Sequence, residues 1–329
     1  MRTVYFGGCQ VLSQVMPKIA VVIPAYKAAL TIQKVIEHLP SFVCEVIVVD
    51  DCSPDNTSEI VTALQRNDPR ITLHRHVSNQ GVGGAVWTGY KIALEKGADV
   101  VVKMDSDDQM DPVYIEPLIR PIIDRRADYV KGNRFLHEKE LVRMPWMRRI
   151  GNLGLSFLTK LASGYWNIFD PTNGYTAIRA SLIPKLNEAR IDRRYFFESS
   201  MLIELGMQRA VVRDISIPAK YGDEKSSLSE LKSLIEFPPK LLRALIRRTI
   251  YLYFLRDFTA VSVFIVAGFL LSFFGFLWGV RHWVLSMQTG SESSTGTVMI
   301  AVLPLIIGLQ LILQAVVLDI QNVPTEVLD

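Results

Sequence analysis

Two acidic clusters carry most of the chemistry this chain offers. Asp50-Asp51-Cys52-Ser53-Pro54-Asp55 closes one apolar run, and Asp105-Ser106-Asp107-Asp108-Gln109 closes another. In Asp105-x-Asp107 the carboxylates stand two positions apart, so an extended segment turns both toward one ion. Hard oxygen donors of this kind suit Mg²⁺ or Mn²⁺, which bind through one or two carboxylates plus substrate phosphates. An acidic turn after a strand is also common without an ion, so the D-x-D spacing alone leaves both readings open. The glycine segment Asn79-Gln80-Gly81-Val82-Gly83-Gly84 is neither G-x-x-x-x-G-K-[ST] nor G-x-G-x-x-G after a first strand. That weighs against a P-loop ATPase and a dinucleotide oxidoreductase. Its glycines serve a tight turn and close helix packing as readily as a ligand.

The elements that must position these clusters alternate. Strand-like runs at Ile19–Ile23, Glu45–Asp50, Ile71–His74 and Val100–Met104 are separated by helical patterns at Thr31–Leu39, Asn56–Gln65 and Gly83–Glu95. Continuous β-branched strands in βαβα order predict an α/β fold, a parallel sheet covered by helices on both faces. Ligands of such sheets sit beyond the carboxyl ends of the strands, where both acidic clusters fall. Acidic clusters sharing one edge repel unless a cation or a hydrogen-bonding ligand lies between them.

The chain has 329 residues and a formal net charge of +3, so no basic field recommends a nucleic acid. Cys9, Cys44 and Cys52 are odd in number and lack metal-ligand spacing, which fits a reducing compartment. Mean hydropathy is +0.23, high for a soluble enzyme. The excess is concentrated late in the chain. Residues 258–280 and 297–318 hold no charge and are long enough to cross a hydrocarbon core of about 30 Å. The polar connector 281–296 makes them a transmembrane hairpin. Lys240, Arg243, Arg247, Arg248 and Arg256 precede it, against Arg281 alone in the connector. Positive-inside asymmetry therefore predicts a cytoplasmic N-terminal domain (17–227), a periplasmic connector and a cytoplasmic tail (319–329). Residues 228–257 read as two amphipathic helices broken at Pro238-Pro239, lying on the inner leaflet. Residues 1–16 read as an extension without an assigned role. No intramembrane ionisable residue marks a transport pathway.

Taken in order, VVIPAYKAALTI, VIVVDDCSPDNT, NQGVGGAVWTGYKIA and KMDSDDQMDP resemble the inverting family 2 glycosyltransferases of GT-A fold. Lys131-Gly132-Asn133-Arg134, Asp170-Pro171-Thr172-Asn173-Gly174-Tyr175, Phe196-Phe197-Glu198 and Tyr221-Gly222-Asp223-Glu224-Lys225-Ser226 narrow the resemblance to the polyprenyl-phosphate group. This is the dolichol-phosphate mannose synthase-like group, and the two spans are similar to its bacterial glucosyl-transferring branch. The resemblance runs over residues 17–324. It implies a GT-A, Rossmann-like mixed and mainly parallel sheet. Pro24, Ala25, Tyr26, Asp50, Asp51, Asp105 and Ser106 would bind a nucleotide-sugar. Asp105, Asp107 and Gln109 would hold Mg²⁺ or Mn²⁺. Arg134 and Lys225 would hold the acceptor phosphate. The family more often has Gly at positions 52 and 108 and Ala at 106. The charge added by Asp108 bears on the geometry of the metal segment.

The resemblance implies transfer of a sugar, from UDP-glucose or GDP-mannose foremost, to a polyprenyl phosphate of undecaprenyl or dolichyl type. The setting is the inner (cytoplasmic) membrane, and the frame admits a homo-oligomer. Asp107, Glu198 and Asp170 are the candidate catalytic residues. A lipid phosphate with a second pKa near ~6 needs no strong base, so Glu198 stays open between base, donor orientation and an arginine partner. Asp170 is expected to accept a sugar hydroxyl. The alternatives are a non-catalytic, membrane-anchored nucleotide-sugar-binding scaffold, or a transferase acting on another lipid or glycan. A processive polysaccharide synthase is disfavoured, because the chain has no Q-x-x-R-W and too few spans for a channel.

Overall fold

The computed structural model describes residues 17–134, 146–218 and 230–328, with side chains described outside 146–152 and 230–235. Seven strands form one sheet: β1 (Ile19–Ala25), β2 (Glu45–Asp50), β3 (Ile71–Arg75), β4 (Val100–Lys103), β5 (Tyr129–Asn133), β6 (Thr176–Arg179) and β7 (Val212–Ser216). Their order is β3-β2-β1-β4-β6-β5-β7. All neighbours pair in parallel except β6, which runs antiparallel to β4 and β5. The parallel sheet read from the strand pattern is thus extended by one antiparallel strand, giving the mixed, mainly parallel sheet that the resemblance implies. Every residue of β1 and β4 is buried, as continuous apolar strands between two helical layers require.

One face packs under α1 (Ile32–Glu37), α2 (Thr57–Asn67) and α4 (Ile115–Ile123), around Val21, Ile23, Val46 and Val102. The other packs under α3 (Val82–Glu95) and α6 (Phe197–Gln208), around Val22, Ile47, Tyr90 and Met201. Between β5 and β6 lies α5 (Trp146–Ser163), which packs on α7 (Glu230–Ile250) through Ala162, Phe237, Leu241 and Ala244.

Where the sequence suggests two amphipathic helices, α7 runs unbroken through Pro238-Pro239. Two proline rings remove backbone donors, but burial of Phe237 and Leu241 on either side holds the helix together. Its basic residues also do something other than face lipid. Lys240 pairs with Asp192 at 2.6 Å, Arg247 with Glu204 at 2.9 Å and Arg248 with Asp319 at 2.9 Å. The exposed positions among the described side chains of the helix are Glu236, Pro239, Lys240, Leu242, Arg243, Ile246 and Ile250.

A π-helical turn, Tyr251–Arg256, leads to α8 (Ala260–Thr289) and α9 (Thr295–Gln321). Both helices are long and apolar enough to cross a membrane. They exceed the uncharged runs because nothing stops α8 before Gly290, whose φ of +65° ends it. The connector shrinks accordingly to 290–294. After α9 the chain returns to the domain, where Leu328 N–H donates to Asp128 at 3.2 Å and Arg179 donates to the Leu328 carbonyl at 2.6 Å.

Candidate active site

Strand register brings the candidate residues to one edge. Ala25 stands level with Asp50, and Lys103, Thr176, Lys131 and Asp214 form one row across β4, β6, β5 and β7. Asp105 and Asn133 each lie two residues beyond that row. The segments after β1, β2, β4 and β5 therefore open on the same side, at the carboxyl ends of the parallel strands.

Pro24 and Ala25 are buried backbone wall, while the Tyr26 ring beyond them is 48% exposed. Asp50 and Asp51 are buried, and their carboxylates are engaged by the protein itself. Asp50 accepts from Ser53 N–H at 2.9 Å and from the Ser58 hydroxyl, with Arg75 Nε at 3.5 Å. Asp51 accepts from Gln80 N–H at 2.8 Å and Gly81 N–H at 2.7 Å, and lies 2.7 Å from His76 Nδ1. The second acid thus fixes the turn into α3, where Gly81 adopts a φ of +87° that L side chains rarely take.

In the segment after β4, Asp107 Oδ1 accepts from Gln109 N–H at 3.1 Å, which folds the triplet back on itself. The Ser106 carbonyl accepts from the Thr31 hydroxyl at 2.6 Å and ties the segment to the loop after β1. Cys52 and Asp108 have φ of +60° and +61°, the left-handed region. That is why glycine suits both positions. The Asp108 carboxylate pairs with Lys34, so its added charge is neutralised beside the triplet.

Asp105 and Glu198 meet through Lys103, which no motif or spacing singles out. Lys103 Nζ lies 2.8 Å from Asp105 Oδ1 and 3.2 Å from Glu198 Oε1. Burial alone would push this ammonium down, but the two carboxylates outweigh it and hold it above the usual lysine range. The available signal was a lysine ending a strand of valines, at the edge where ligands bind. Glu198 sits in the first turn of α6, where the helix dipole favours a carboxylate. It pairs with this lysine rather than with an arginine.

Arg134 and Asp170, expected to contact acceptor phosphate and sugar separately, contact each other. Arg134 Nε lies 2.8 Å and Nη2 3.2 Å from the two Asp170 oxygens. The Asp170 side chain is fully buried, and that of Arg134 is 39% exposed. Deeper in the sheet, Lys131 donates to the Asn173 carbonyl, and burial pushes its ammonium down to about 8. Lys225 lies outside the described residues.

Asp105, Asp107 and Gln109 offer two carboxylates and an amide oxygen. That set fits Mg²⁺ or Mn²⁺ whose remaining positions go to water and phosphate. Among the described residues no group of three or more His, Cys, Asp or Glu forms a cage. The space beside Asp105 is kept by Gly174, where a Cβ would stand 2.9 Å from Asp105 Oδ2.

Known proteins bear on this arrangement. The undecaprenyl-phosphate mannosyltransferase of Micrococcus luteus is 29% identical over 218 residues, 64% of this chain and 88% of that protein. The UDP-N-acetylglucosamine–dolichyl-phosphate N-acetylglucosaminyltransferase of Methanococcus voltae is 35% identical over 218 residues, 62% and 86% of the two chains. Glucosyl-3-phosphoglycerate synthase of Mycobacterium tuberculosis, solved with Mn²⁺ and UDP-glucose, superposes with a TM-score of 0.53 at 21% identity. That match covers 70% of this chain and 79% of the other, and it supports the GT-A fold. The model described as glycosyl transferase family 2 matches residues 20–186. The chain is a glycosyltransferase and belongs to family 2.

Proposed function

We propose that the enzyme transfers a hexose from a nucleotide-sugar to a membrane polyprenyl phosphate, with inversion at the anomeric carbon. The observation that carries this reading is one sheet edge holding the Asp105-x-Asp107-x-Gln109 segment, Glu198 and the Arg134–Asp170 pair. The two named relatives act on dolichyl and undecaprenyl phosphates, which supports the acceptor class. UDP-glucose and GDP-mannose are the leading donors. The two apolar helices support residence in the inner (cytoplasmic) membrane, with the catalytic domain on the cytoplasmic side.

The exposed Tyr26 ring offers a face for the nucleoside base. Asp50 and Asp51 shape that pocket through the turns they fix. Asp105, Asp107 and Gln109 would hold Mg²⁺ or Mn²⁺, which when bound supplies charge neutralisation for the leaving diphosphate. Arg134, aimed by Asp170, offers a planar donor set to the acceptor phosphate. A phosphate oxygen of the lipid attacks the anomeric carbon, and the nucleoside diphosphate leaves from the opposite side. The attacking phosphate is largely dianionic near neutral pH, so Glu198 has no proton to remove. Its carboxylate, held by Lys103, instead orients the donor sugar. A lipid with a long chain stays in the bilayer, because each buried CH₂ contributes about 0.8 kcal/mol. The spans keep the catalytic domain beside the phosphate.

The test is transfer of label from a panel of UDP- and GDP-sugars into organic-extractable lipid. Detergent-purified enzyme is supplied with Mg²⁺ and undecaprenyl or dolichyl phosphate. Transfer from one donor that Asp107→Ala abolishes is the expected result. Donor binding without lipid-linked product from any sugar overturns the reading in favour of a scaffold.

A further inference from the structure

Lys103 ends an otherwise apolar strand, and its side chain is 2% exposed. Nζ touches two carboxylates from different elements, Asp105 Oδ1 at 2.8 Å and Glu198 Oε1 at 3.2 Å. Gly174 makes room for it, since a Cβ there would stand 2.3 Å from Nζ. The ammonium therefore belongs to the floor of the site. Any divalent ion on Asp105 shares that carboxylate with a fixed positive charge.

We propose that Lys103 is a positioning residue that holds Asp105 and Glu198 together and keeps the site's affinity for a divalent ion alone low, so that the ion is taken up with the nucleoside diphosphate. This rests on reading Asp105, Asp107 and Gln109 as the ion's ligands. Two like charges on one carboxylate repel, and the burial of Lys103 keeps its charge fixed beside the 31%-exposed Asp105. The diphosphate brings the negative charge that the lysine offsets. The lysine also keeps Glu198 from turning toward Asp105's ion and leaves it available to the donor sugar.

The experiment titrates full-length enzyme in detergent with Mn²⁺ alone, following free Mn²⁺ by electron paramagnetic resonance, and repeats the titration with UDP or GDP. Lys103→Met is expected to bind Mn²⁺ alone roughly tenfold more tightly than wild type. The gain in Mn²⁺ affinity from nucleotide shrinks in Lys103→Met. Where Lys103→Met does not fold, Lys103→Met/Glu198→Gln is compared with Glu198→Gln, and the same tightening is expected. Unchanged or weaker Mn²⁺ binding on loss of the lysine, with Asp107→Ala still reducing binding, overturns the role of Lys103 and leaves the ion site standing. Mn²⁺ binding that Asp107→Ala does not alter, with or without nucleotide, overturns the ion site and the proposal together.

Discussion

Arg134 lies across the carboxylate of Asp170, exposed on one side and joined on the other to an acid with no exposed side-chain surface. Arg134 N–H at 3.4 Å and the Thr172 hydroxyl at 3.2 Å also donate to that acid. In the proposed reaction, Asp170 therefore acts on substrate through Arg134. Asp170→Asn should raise KM for the lipid phosphate and leave KM for the donor nearly unchanged. A charge-assisted hydrogen bond contributes roughly 1.5–3 kcal/mol, which sets the loss in kcat/KM at about 10- to 100-fold. The double variant Arg134→Ala/Asp170→Asn should be no worse than Arg134→Ala, because the two act as a unit. Additive losses in steady-state kinetics would separate them.

Gly174 leaves the space that Lys103 and Asp105 use. A Cβ there would meet Lys103 Nζ at 2.3 Å and Asp105 Oδ2 at 2.9 Å. Gly174→Ala should lower kcat at least about tenfold, since displacing a reacting constellation by about 1 Å has costs of that order or more. Circular dichroism should show the fold retained. Full activity in Gly174→Ala would mean that Lys103 and Asp105 move freely.

Asp214 should give stability a pH dependence. Burial pushes its carboxyl up to about 6, against hydrogen bonds from Phe169 N–H and Asn133 that lower it. Unfolded, it titrates near ~3.9. Between those values the folded chain keeps a proton that the unfolded chain has lost. The contribution is fully present below about pH 4 and is lost as pH rises through about 6. Asp214→Asn removes that loss. Its melting temperature relative to wild type should climb between pH 4 and 6.5 and level off above. A constant gap across that range would contradict the assignment.

The domain is tied to its spans by Arg248. Its nitrogens lie 3.0 and 2.9 Å from the oxygens of Asp319, which also accepts from Tyr253 and from Trp166 at 3.1 Å. Arg248→Met leaves Asp319 buried without its cation, a loss of about 3–5 kcal/mol. Thermal unfolding in detergent should shift down accordingly, and Arg248→Met/Asp319→Leu should recover part of the shift. No shift in Arg248→Met would mean that the pair contributes nothing to docking.

Much of the architecture was legible in the chain. Four of the seven strands announced themselves as β-branched runs, and uncharged segments announced the hairpin; β5, β6 and β7, each interrupted by charged or small residues, did not. Burial and length dominate those patterns, so local sequence is enough. The site was legible as positions and less so as contacts. Asp105, Asp107 and Gln109 follow their strand as expected, but nothing in the spacing says that Arg134 spends its guanidinium on Asp170. Pairings of that kind depend on β5 lying beside β6 and on loops that close across the sheet. The unbroken α7 was hidden for a related reason: two prolines argue locally for a break, and tertiary burial of Phe237 and Leu241 overrides them. Lys103 was visible as a charged residue in a buried strand, and only the fold shows what it neutralises.

Mass spectrometry of the lipid tests sugar transfer onto a lipid phosphate most directly. Polyprenyl phosphate incubated with the enzyme, Mg²⁺ and the preferred donor should gain the mass of one sugar residue. Nucleoside diphosphate should appear in equal amount. Polyprenol lacking the phosphate should remain unmodified, and Asp107→Ala should give neither product. Nucleoside diphosphate released while the lipid keeps its mass would contradict the account.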